Sequence, residues 1–237
     1  MKFKYFFIAV LTFLCFNDIL AQSKSLIIGA DANYNLPLGT LSERLKGAFG
    51  GIVYAGKEVS DSWTWTGKLE YFKLTKVNKD KRFKTIEAEI GGEISSYTFP
   101  LPNLKMDLTV AGLLAEAKYN LLKTEIFTTD VNIGFGFYFW EHFRSSYFDS
   151  LKVDTSGSGN FVLVEELKVP SLRQKDWSGG INLGLDFNIL LFDPLWLNLS
   201  GNYKLIIGEL WPTLELNLEN VSGLQFIDFR AGIRLNL

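Results

Sequence analysis

The stretch "DFRAGIRLNL", Asp228 to Leu237, alternates strictly between two kinds of side chain. Its apolar set is Phe229, Ala231, Ile233, Leu235 and Leu237, and its polar or small set is Asp228, Arg230, Gly232, Arg234 and Asn236. A period of two places these sets on opposite faces of an extended strand. Chain ends are normally loose, so order that continues to the last residue predicts a strand that is paired along its whole length.

The same alternation recurs along the sequence and predicts eight strands. Their approximate bounds are 25–36, 46–57, 62–76, 104–120, 126–140, 177–190, 195–208 and 223–237. The second of these is rich in glycine and has no clear apolar face. In the fourth, the apolar phase changes near Leu113 and Leu114, which predicts a β-bulge there.

Short and long connections between these strands alternate strictly along the sequence. The short links are 58–61, 121–125 and 191–194, and the long links are 37–45, 77–103, 141–176 and 209–222. Outer-membrane barrels have short turns on the periplasmic side and longer loops outside. The pattern therefore predicts an all-β fold, a closed antiparallel up-and-down transmembrane β-barrel of eight strands. Residues 83–99 are predicted to form a β-extension above the membrane; a ten-stranded alternative would add a strand there and another at 213–218.

Charge and size predict which face of each strand points inward. The polar faces carry charges of both signs and many glycines: Asp31, Lys68, Glu70, Asp130, Asp186, Lys204, Arg230 and Arg234, with Gly29, Gly134, Gly136, Gly180, Gly184 and Gly232. An eight-stranded barrel has a narrow interior that side chains just fill. Small residues and opposed charges suit that interior, so we expect the apolar faces to look outward into lipid.

Aromatic placement and the need for closure agree with this orientation. Trp63, Trp65 and Phe187 fall near predicted inner ends, and Tyr71, Phe139 and Tyr203 near predicted outer ends, as in interfacial aromatic girdles. An open sheet edge cannot face hydrocarbon, because its unpaired N–H and C=O groups each cost several kcal/mol. The last strand is therefore expected to pair with the first, near residues 26–36.

Composition bounds the class of protein. Of the 237 residues, 47% are apolar and 15% aromatic, which disfavours disorder, and the net charge of −2 offers no basic field for nucleic acid. Lys2 and Lys4 precede an apolar run from Tyr5 to Phe16 that is too short for a membrane helix. We predict a cleaved signal peptide, residues 1–21, and a barrel domain, residues 22–237. The one cysteine, Cys15, follows the large Leu14, which argues against lipidation, and the mature chain is left without disulfides.

The sequence predicts no catalytic, cofactor-binding or metal site, and hence no enzyme. One histidine and no mature cysteine make a zinc site a poor fit, and "GFGF" lies inside a strand rather than in a phosphate-binding loop. The sharpest enzymatic candidate is His142, with Ser145, Ser146, Asp149 and Asp154 after it in the same long link. The favoured interpretation makes His142 a solvated loop residue beside the outer girdle.

Two loop segments are candidates for binding. The stretch "SGSGNFVLVEELKV", Ser156 to Val169, is either an ordinary exposed loop or a hairpin that binds a partner by strand addition. The stretch "KVNKDKRFK", Lys76 to Lys84, is either a solvated turn or a basic contact for acidic lipopolysaccharide headgroups.

The chain resembles the small outer-membrane β-barrel domain proteins of OmpA/OmpX architecture, particularly those of Bacteroidetes-like bacteria. The stretches that carry the resemblance are "GADANYNLPLG", "AEAKYNLL", "VNIGFGFYFWE", "GGINLGLDFNILL" and "FRAGIRLNL". Such families often end on an aromatic residue, from which Leu237 departs. The resemblance implies outer-membrane location and insertion by the barrel-assembly machinery, but no single activity.

From these observations we expect a monomeric, non-enzymatic barrel that supports the envelope or surface contacts through its long loops. Its expected partners are outer-membrane lipid and lipopolysaccharide, with no nucleic acid and no cofactor. The alternatives are a narrow pore, a lipid-modifying enzyme, and a soluble periplasmic barrel that encloses a lipid.

Overall fold

The structure is a computed structural model that describes residues 26–90, 92–154, 159 and 161–237. The predicted signal peptide, residues 1–21, lies outside the described residues. The strands of the barrel are β1 Leu26–Pro37, β2 Ala48–Glu58, β3 Trp63–Leu74, β6 Met106–Lys123, β7 Phe127–Arg144, β10 Leu172–Phe192, β11 Leu195–Leu210 and β12 Val221–Asn236. Two hairpins stand outside it, β4 Phe83–Ile90 with β5 Glu93–Pro100, and β8 Tyr147–Asp154 with β9 Phe161–Val169. A short helix, α1, spans Gly39–Arg44.

The barrel strands form one closed antiparallel sheet in the order β1-β12-β11-β10-β7-β6-β3-β2. Closure lies where the alternating last strand predicts it, with β12 paired to β1 from Ile27 opposite Asn236 to Pro37 opposite Phe226. The amide of Leu26 donates to the carbonyl of Leu237 at 2.9 Å, and the amide of Leu237 donates back at 2.7 Å. The pairing therefore runs to the last residue, and no edge of this sheet is left open to hydrocarbon.

The prediction of eight barrel strands is confirmed, and the ten-stranded alternative is wrong. Residues 83–100 form the separate β4–β5 hairpin, as the predicted extension requires. Residues 213–218 form only one isolated bridge, between Thr213 and Leu218, around a 3₁₀ turn at Leu214–Leu216. Leu216 and Leu218 of that segment turn inward onto the core, so they mimic the pattern of a strand without joining the sheet.

The outer surface of the barrel is apolar between two rings of aromatic side chains. Leu183, Phe135 and Phe229 are more than half exposed, whereas Asn182 and Asp186 are 1% exposed. Paired aromatics mark the short-turn end at Trp63–Tyr119 and Phe127–Phe187, and the long-loop end at Tyr34–Phe49 and Phe139–Trp177. The ten-residue step from Trp177 to Phe187, at about 3.3 Å per residue and a tilt of about 40°, rises about 25 Å. That height matches the apolar band of outer-membrane barrels.

Strand β6 corrects one prediction. Its pairing with β3 and β7 runs without interruption through Leu113 and Leu114, and its irregularity lies between Asn120 and Leu122 instead. The apolar phase change has another cause: the inward face of β6 itself changes, from Met106, Leu108 and Val110 near the long-loop end to Glu116 and Lys118 further down. The interior therefore has two tiers, an apolar tier beneath the long loops and a polar tier across the membrane.

Strand β2, whose faces the sequence leaves undecided, has apolar residues on both. Phe49 and Val53 are exposed on the outside, while Ile52 and Tyr54 are buried inside. The inward glycines make room for large neighbours, as predicted. A Cβ on Gly112 or Gly180 would approach the ring of Tyr138 to 2.7 Å, and one on Gly29 would overlap the ring of Tyr54.

Candidate functional site: the lumen and the extracellular head

The polar tier of the lumen is a network of ion pairs. Lys68 Nζ lies 2.6 Å from Glu116, and Lys118 Nζ lies 2.5 Å from Asp186. Glu116 also faces Lys118 at 3.7 Å and Arg230 at 3.8 Å. These side chains are at most 4% exposed. Because each buried cation faces a carboxylate, the cost of removing the charges from water is offset.

A second part of the network joins β11 and β12 to the opposite wall. Lys204 pairs with Glu70, donates to Asn35 Oδ1 at 3.1 Å, and lies 3.5 Å from Asp228. Arg230 donates to Asp228 through Nε at 2.7 Å. Amide side chains extend these contacts toward the short-turn end, through Asn132–Asp186, Asn120–Asp130, Asn188–Asp130 and Asn198–Asn188. Opposite walls are therefore tied together across the lumen.

The apolar tier closes the lumen from above. Phe72 and Phe226 meet edge to face with ring centroids 5.2 Å apart, and Lys204 Nζ lies 4.8 Å from the Phe72 ring centre, where the two tiers meet. The long links bring further apolar side chains onto this layer: Leu41, Leu45, Leu101, Leu104, Leu151, Leu167, Leu216 and Leu218. We call the long links, residues 38–47, 75–105, 145–171 and 211–220, the head. The head is thus packed on the barrel core rather than standing free above an open mouth.

His142 lies at the base of the head, and the structure corrects its predicted environment. It faces inward on β7, 1% exposed, two residues above Trp140 and beyond the outer aromatic ring at Phe139. Its Nδ1 lies 2.9 Å from the carbonyl oxygen of Asp107, so Nδ1 carries the proton that this carbonyl accepts. Burial, and then the charges of Arg44 and Arg144, lower the pKa of His142 to about 4. The residue is a neutral core histidine and not a solvated loop residue.

The other members of the enzymatic candidate are held by separate partners. The Ser145 hydroxyl faces the carbonyl of Lys105 at 3.5 Å, and Ser146 is exposed. Asp149 accepts from the Tyr147 hydroxyl at 2.8 Å, and Asp154 accepts from the amide of Gly159 at 3.1 Å. Within the described residues these groups do not form a nucleophile, base and acid in hydrogen-bonded sequence.

The basic segment 76–84 borders a surface pocket of about 700 Å³. The pocket is lined by four lysines, Lys46, Lys76, Lys79 and Lys105, by two carboxylates, Asp80 and Asp107, and by apolar residues that include Val77, Leu104 and Phe143. It lies on the outside of the barrel wall just above the outer aromatic ring, where Lys73 and Asp107 pair at 3.3 Å. We call it the rim pocket. Sequence reasoning identifies Lys76 and Lys79 but misses Lys46 and Lys105, which only the fold brings to the same place.

Both hairpins carry exposed apolar side chains. Ile94 in β5 is 75% exposed, and Phe148 and Phe161 in β8 and β9 are 62% and 65% exposed. Of the segment Ser156 to Val169, residues 161–169 form β9, and most of the rest lies outside the described residues. Phe99 and Pro100, at the base of β4–β5, share a small pocket with Leu151 and Phe161 of β8–β9, so the two hairpins stand next to each other.

Across the described ranges, no cluster of three or more His, Cys, Asp or Glu side chains has the arrangement of a metal site. No helix among the described residues is long and apolar enough to cross a membrane.

Comparison with solved structures agrees with the fold. A major outer membrane protein from Thermus thermophilus is similar at a TM-score of 0.52 with 10% identity, over 90% of this chain and 99% of that one. Neisserial surface protein A gives a TM-score of 0.43 with 14% identity, over 89% of this chain and 96% of the other. The attachment invasion locus protein Ail of Yersinia pestis gives 0.40 with 12% identity, over 90% and 97%. No protein-family model matches the sequence, and no curated protein does.

The closed eight-stranded sheet, the apolar outer band between aromatic rings and the polar lumen define a class. The chain is a small outer-membrane β-barrel protein of the OmpA/OmpX kind of architecture. Its place is the outer membrane. Because barrels of this class keep their short turns on the periplasmic side, we expect the head to lie outside.

Proposed function

We propose that this protein is a non-conducting, non-enzymatic barrel that fixes its head at the cell surface as a structural and contact element of the envelope. The observation that carries the proposal is the double seal of the lumen. Ion pairs such as Lys118–Asp186 cross the polar tier, and the packed apolar tier covers it. A solute would have to break both layers to pass, which disfavours the pore alternative. The same ion pairs and packed apolar side chains occupy the space in which a soluble barrel would hold a lipid.

The head suits contact rather than gating. Leu41, Leu101 and Leu216, from three different long links, are at most 2% exposed and pack on one core. Movement of any one link would expose apolar surface of the other two. The hairpins β4–β5 and β8–β9 project from this base with Ile94, Phe148 and Phe161 exposed. Exposed apolar residues on a rigid support are what a protein contact surface needs.

The rim pocket supports contact with the outer leaflet itself. Lys76 and Lys79 would face the phosphate groups of lipopolysaccharide, while Val77 and Phe143 would lie against the upper part of the acyl region. We infer a monomer that enters the membrane through the barrel-assembly machinery and keeps lipopolysaccharide at this rim.

Conductance tests the sealed lumen. The refolded protein in planar bilayers should give no steady single-channel current. A variant in which Leu41 and Leu216 are both changed to Ser should still give none, because the polar tier remains. Steady conductance of the unaltered protein would refute the proposal.

Lipopolysaccharide dependence tests the rim. The melting temperature of the barrel should rise more in vesicles that contain lipopolysaccharide than in phosphatidylcholine vesicles. Lys76→Gln with Lys79→Gln should reduce that gain. Lys152→Gln with Lys168→Gln, an equal charge change on the β8–β9 hairpin at residues that do not line the rim pocket, should not. Equal effects of the two pairs would show that the rim pocket has no special role.

Catalysis is not expected anywhere in the head. Envelope lipids from cells that carry His142→Ala should match those from cells with the unaltered protein. A changed lipid profile at equal protein abundance would favour the enzyme alternative.

A further inference from the structure

Three arginines are buried together at the base of the head. Arg44 at the end of α1, Arg82 before β4 and Arg144 at the end of β7 are 2%, 5% and 5% exposed. The positive charges of Arg44 and Arg144 lower the pKa of His142. None of the three arginines lines the rim pocket. We call them the arginine cluster.

Hydrogen bonds connect the segments that carry the cluster. Arg44 Nη2 donates to the carbonyl of Trp211 at 3.3 Å and to that of Glu219, while Arg144 donates to Thr213 Oγ1. A single link, residues 211–219, thus joins two of the arginines. The third is tied in through the backbone: the amide of Asn78 donates to the carbonyl of Arg44 at 3.0 Å, and Asn78 begins the 3₁₀ turn that ends at Arg82.

The cluster lacks the counter-charges that the lumen has. In the polar tier Lys68, Lys118, Lys204 and Arg230 each lie within 4.0 Å of a carboxylate. Among the described residues, no carboxylate lies within that distance of Arg44, Arg82 or Arg144, and the acceptors of Arg44 and Arg144 are carbonyl and hydroxyl oxygens. Two more distant carboxylates, Glu43 and Glu215, raise the pKa of Arg44 and of Arg144 respectively, and both are exposed on the surface.

The cluster also contains hydrogen-bond donors that have no acceptor. Arg82 Nε and Arg144 Nε are buried and have no acceptor. A buried donor without an acceptor is destabilising, and more so when it is charged. Burial, with the charges of Arg82 and Arg144, lowers the pKa of Arg44 to about 10, which still leaves this guanidinium charged at neutral pH. The cluster therefore combines positive charge with free N–H groups on side chains that are at most 5% exposed to solvent.

The geometry points to a binding site for a tetrahedral oxyanion, a phosphate or sulfate group, held by Arg44, Arg82 and Arg144. Guanidinium forks match the oxygen pairs of such groups and bind them through short charge-assisted hydrogen bonds. One doubly charged phosphate would supply acceptors for the two free Nε donors and offset most of the cluster's charge. Since the residues are almost fully buried, the site fits a small ion or the terminal phosphate of a larger molecule.

The single histidine of the chain provides a readout at the site. His142 is the only histidine, so its imidazole signal in nuclear magnetic resonance is unique. Arg44 and Arg144 disfavour its protonated form. An anion bound between them would reverse that effect, and the pKa of His142 should rise when the site is filled.

The test uses the full refolded barrel in micelles free of phosphate. Inorganic phosphate should bind by calorimetry, raise the melting temperature relative to chloride at equal ionic strength, and shift the His142 titration upward. Arg82→Gln should weaken binding by about tenfold to a hundredfold, the range for a lost hydrogen bond to a charged group. The control is Lys81→Gln, which removes the same charge from the exposed neighbour of Arg82 and should leave binding unchanged.

Arg82→Gln separates binding from folding. If the cluster awaits an anion, this variant removes an unpaired buried charge, and the protein without phosphate should melt at the same or a higher temperature. Purified lipopolysaccharide and its dephosphorylated form are the second arm. A His142 shift with inorganic phosphate identifies a free ion as sufficient, and a shift only with phosphorylated lipopolysaccharide identifies a lipid phosphate. No shift with any probe, or an equal loss of binding in Lys81→Gln, would overturn the proposal, and neither result depends on the rim pocket.

Discussion

Replacement of Glu116 by Gln should be among the most damaging single changes in the barrel. Glu116 is fully buried and faces three cations, Lys68 at 2.6 Å, Lys118 at 3.7 Å and Arg230 at 3.8 Å. The neutral amide leaves those cations with one carboxylate fewer in a space that bulk water does not reach. Removal of one partner from a buried ion pair costs about 3–5 kcal/mol, and we expect the free energy of unfolding to fall by that amount.

Urea unfolding of the refolded protein in lipid vesicles, followed by tryptophan fluorescence, measures the change. Asp80→Asn is the matched control, because Lys46 and Asp80 lie 2.7 Å apart with side chains 47% and 79% exposed. The two ion pairs have nearly the same N–O distance as each other, 2.7 Å here and 2.6 Å for Lys68–Glu116, but the exposed pair is screened by water. The free energy of unfolding of Asp80→Asn should therefore equal that of the unaltered protein. A double variant, Glu116→Gln with Lys68→Met, restores the charge balance and should recover part of the stability. If Glu116→Gln cost no more than Asp80→Asn, the lumen would be hydrated and the reasoning that seals it would fail.

Two further changes test the interior. Gly112→Ala places a methyl group 2.7 Å from the Tyr138 ring and should lower the free energy of unfolding by about 1–3 kcal/mol. The control is Gly134→Ala, whose methyl group meets nothing closer than 3.4 Å and should be tolerated. Equal effects of the two variants in urea unfolding would contradict the packing described. The pKa of His142 is about 4 in the folded barrel against about 6.5 unfolded, so the unfolded state binds more protons between these values. Stability should therefore fall by roughly 3 kcal/mol as the pH drops from about 6.5 to about 4 in the absence of phosphate, and His142→Asn should remove that part of the pH dependence; an unchanged profile would show that the histidine is solvated.

The membrane-spanning strands can be predicted because lipid on one side and a crowded polar lumen on the other impose a clean period of two. Leu183 and Asn182 show this contrast on adjacent residues, as does the pairing of the last strand with the first. The period of two no longer predicts which face points inward where the interior of the barrel is not polar. Above the outer aromatic ring the inward face of β6 is apolar at Leu108 and Val110, while Thr109 between them faces outward. The alternation therefore reverses its phase along the strand, and this reversal resembles a bulge in the sequence.

The contents of the head cannot be predicted for a related reason. Arg44, Arg82 and Arg144 belong to three separate segments, and each resembles an ordinary solvated charge in its own surroundings. Only the loops that fold back over the barrel bury them together. The sequence places His142 in a loop because the predicted strand ends at Trp140, whereas β7 continues to Arg144 beyond the height that the membrane requires.

Photolabelling from within the bilayer tests the central assignment most directly. A carbene reagent confined to the hydrocarbon should mark Ile181, Leu183 and Leu185 on β10 and spare Asn182, Gly184 and Asp186, when the labelled residues are located by mass spectrometry. The first three are 42%, 55% and 43% exposed on the outer wall, while Asn182 and Asp186 are 1% exposed. Label on Asn182 and Asp186 with none on Leu183 would mean that the polar face looks into lipid, and the sealed barrel described above would be wrong.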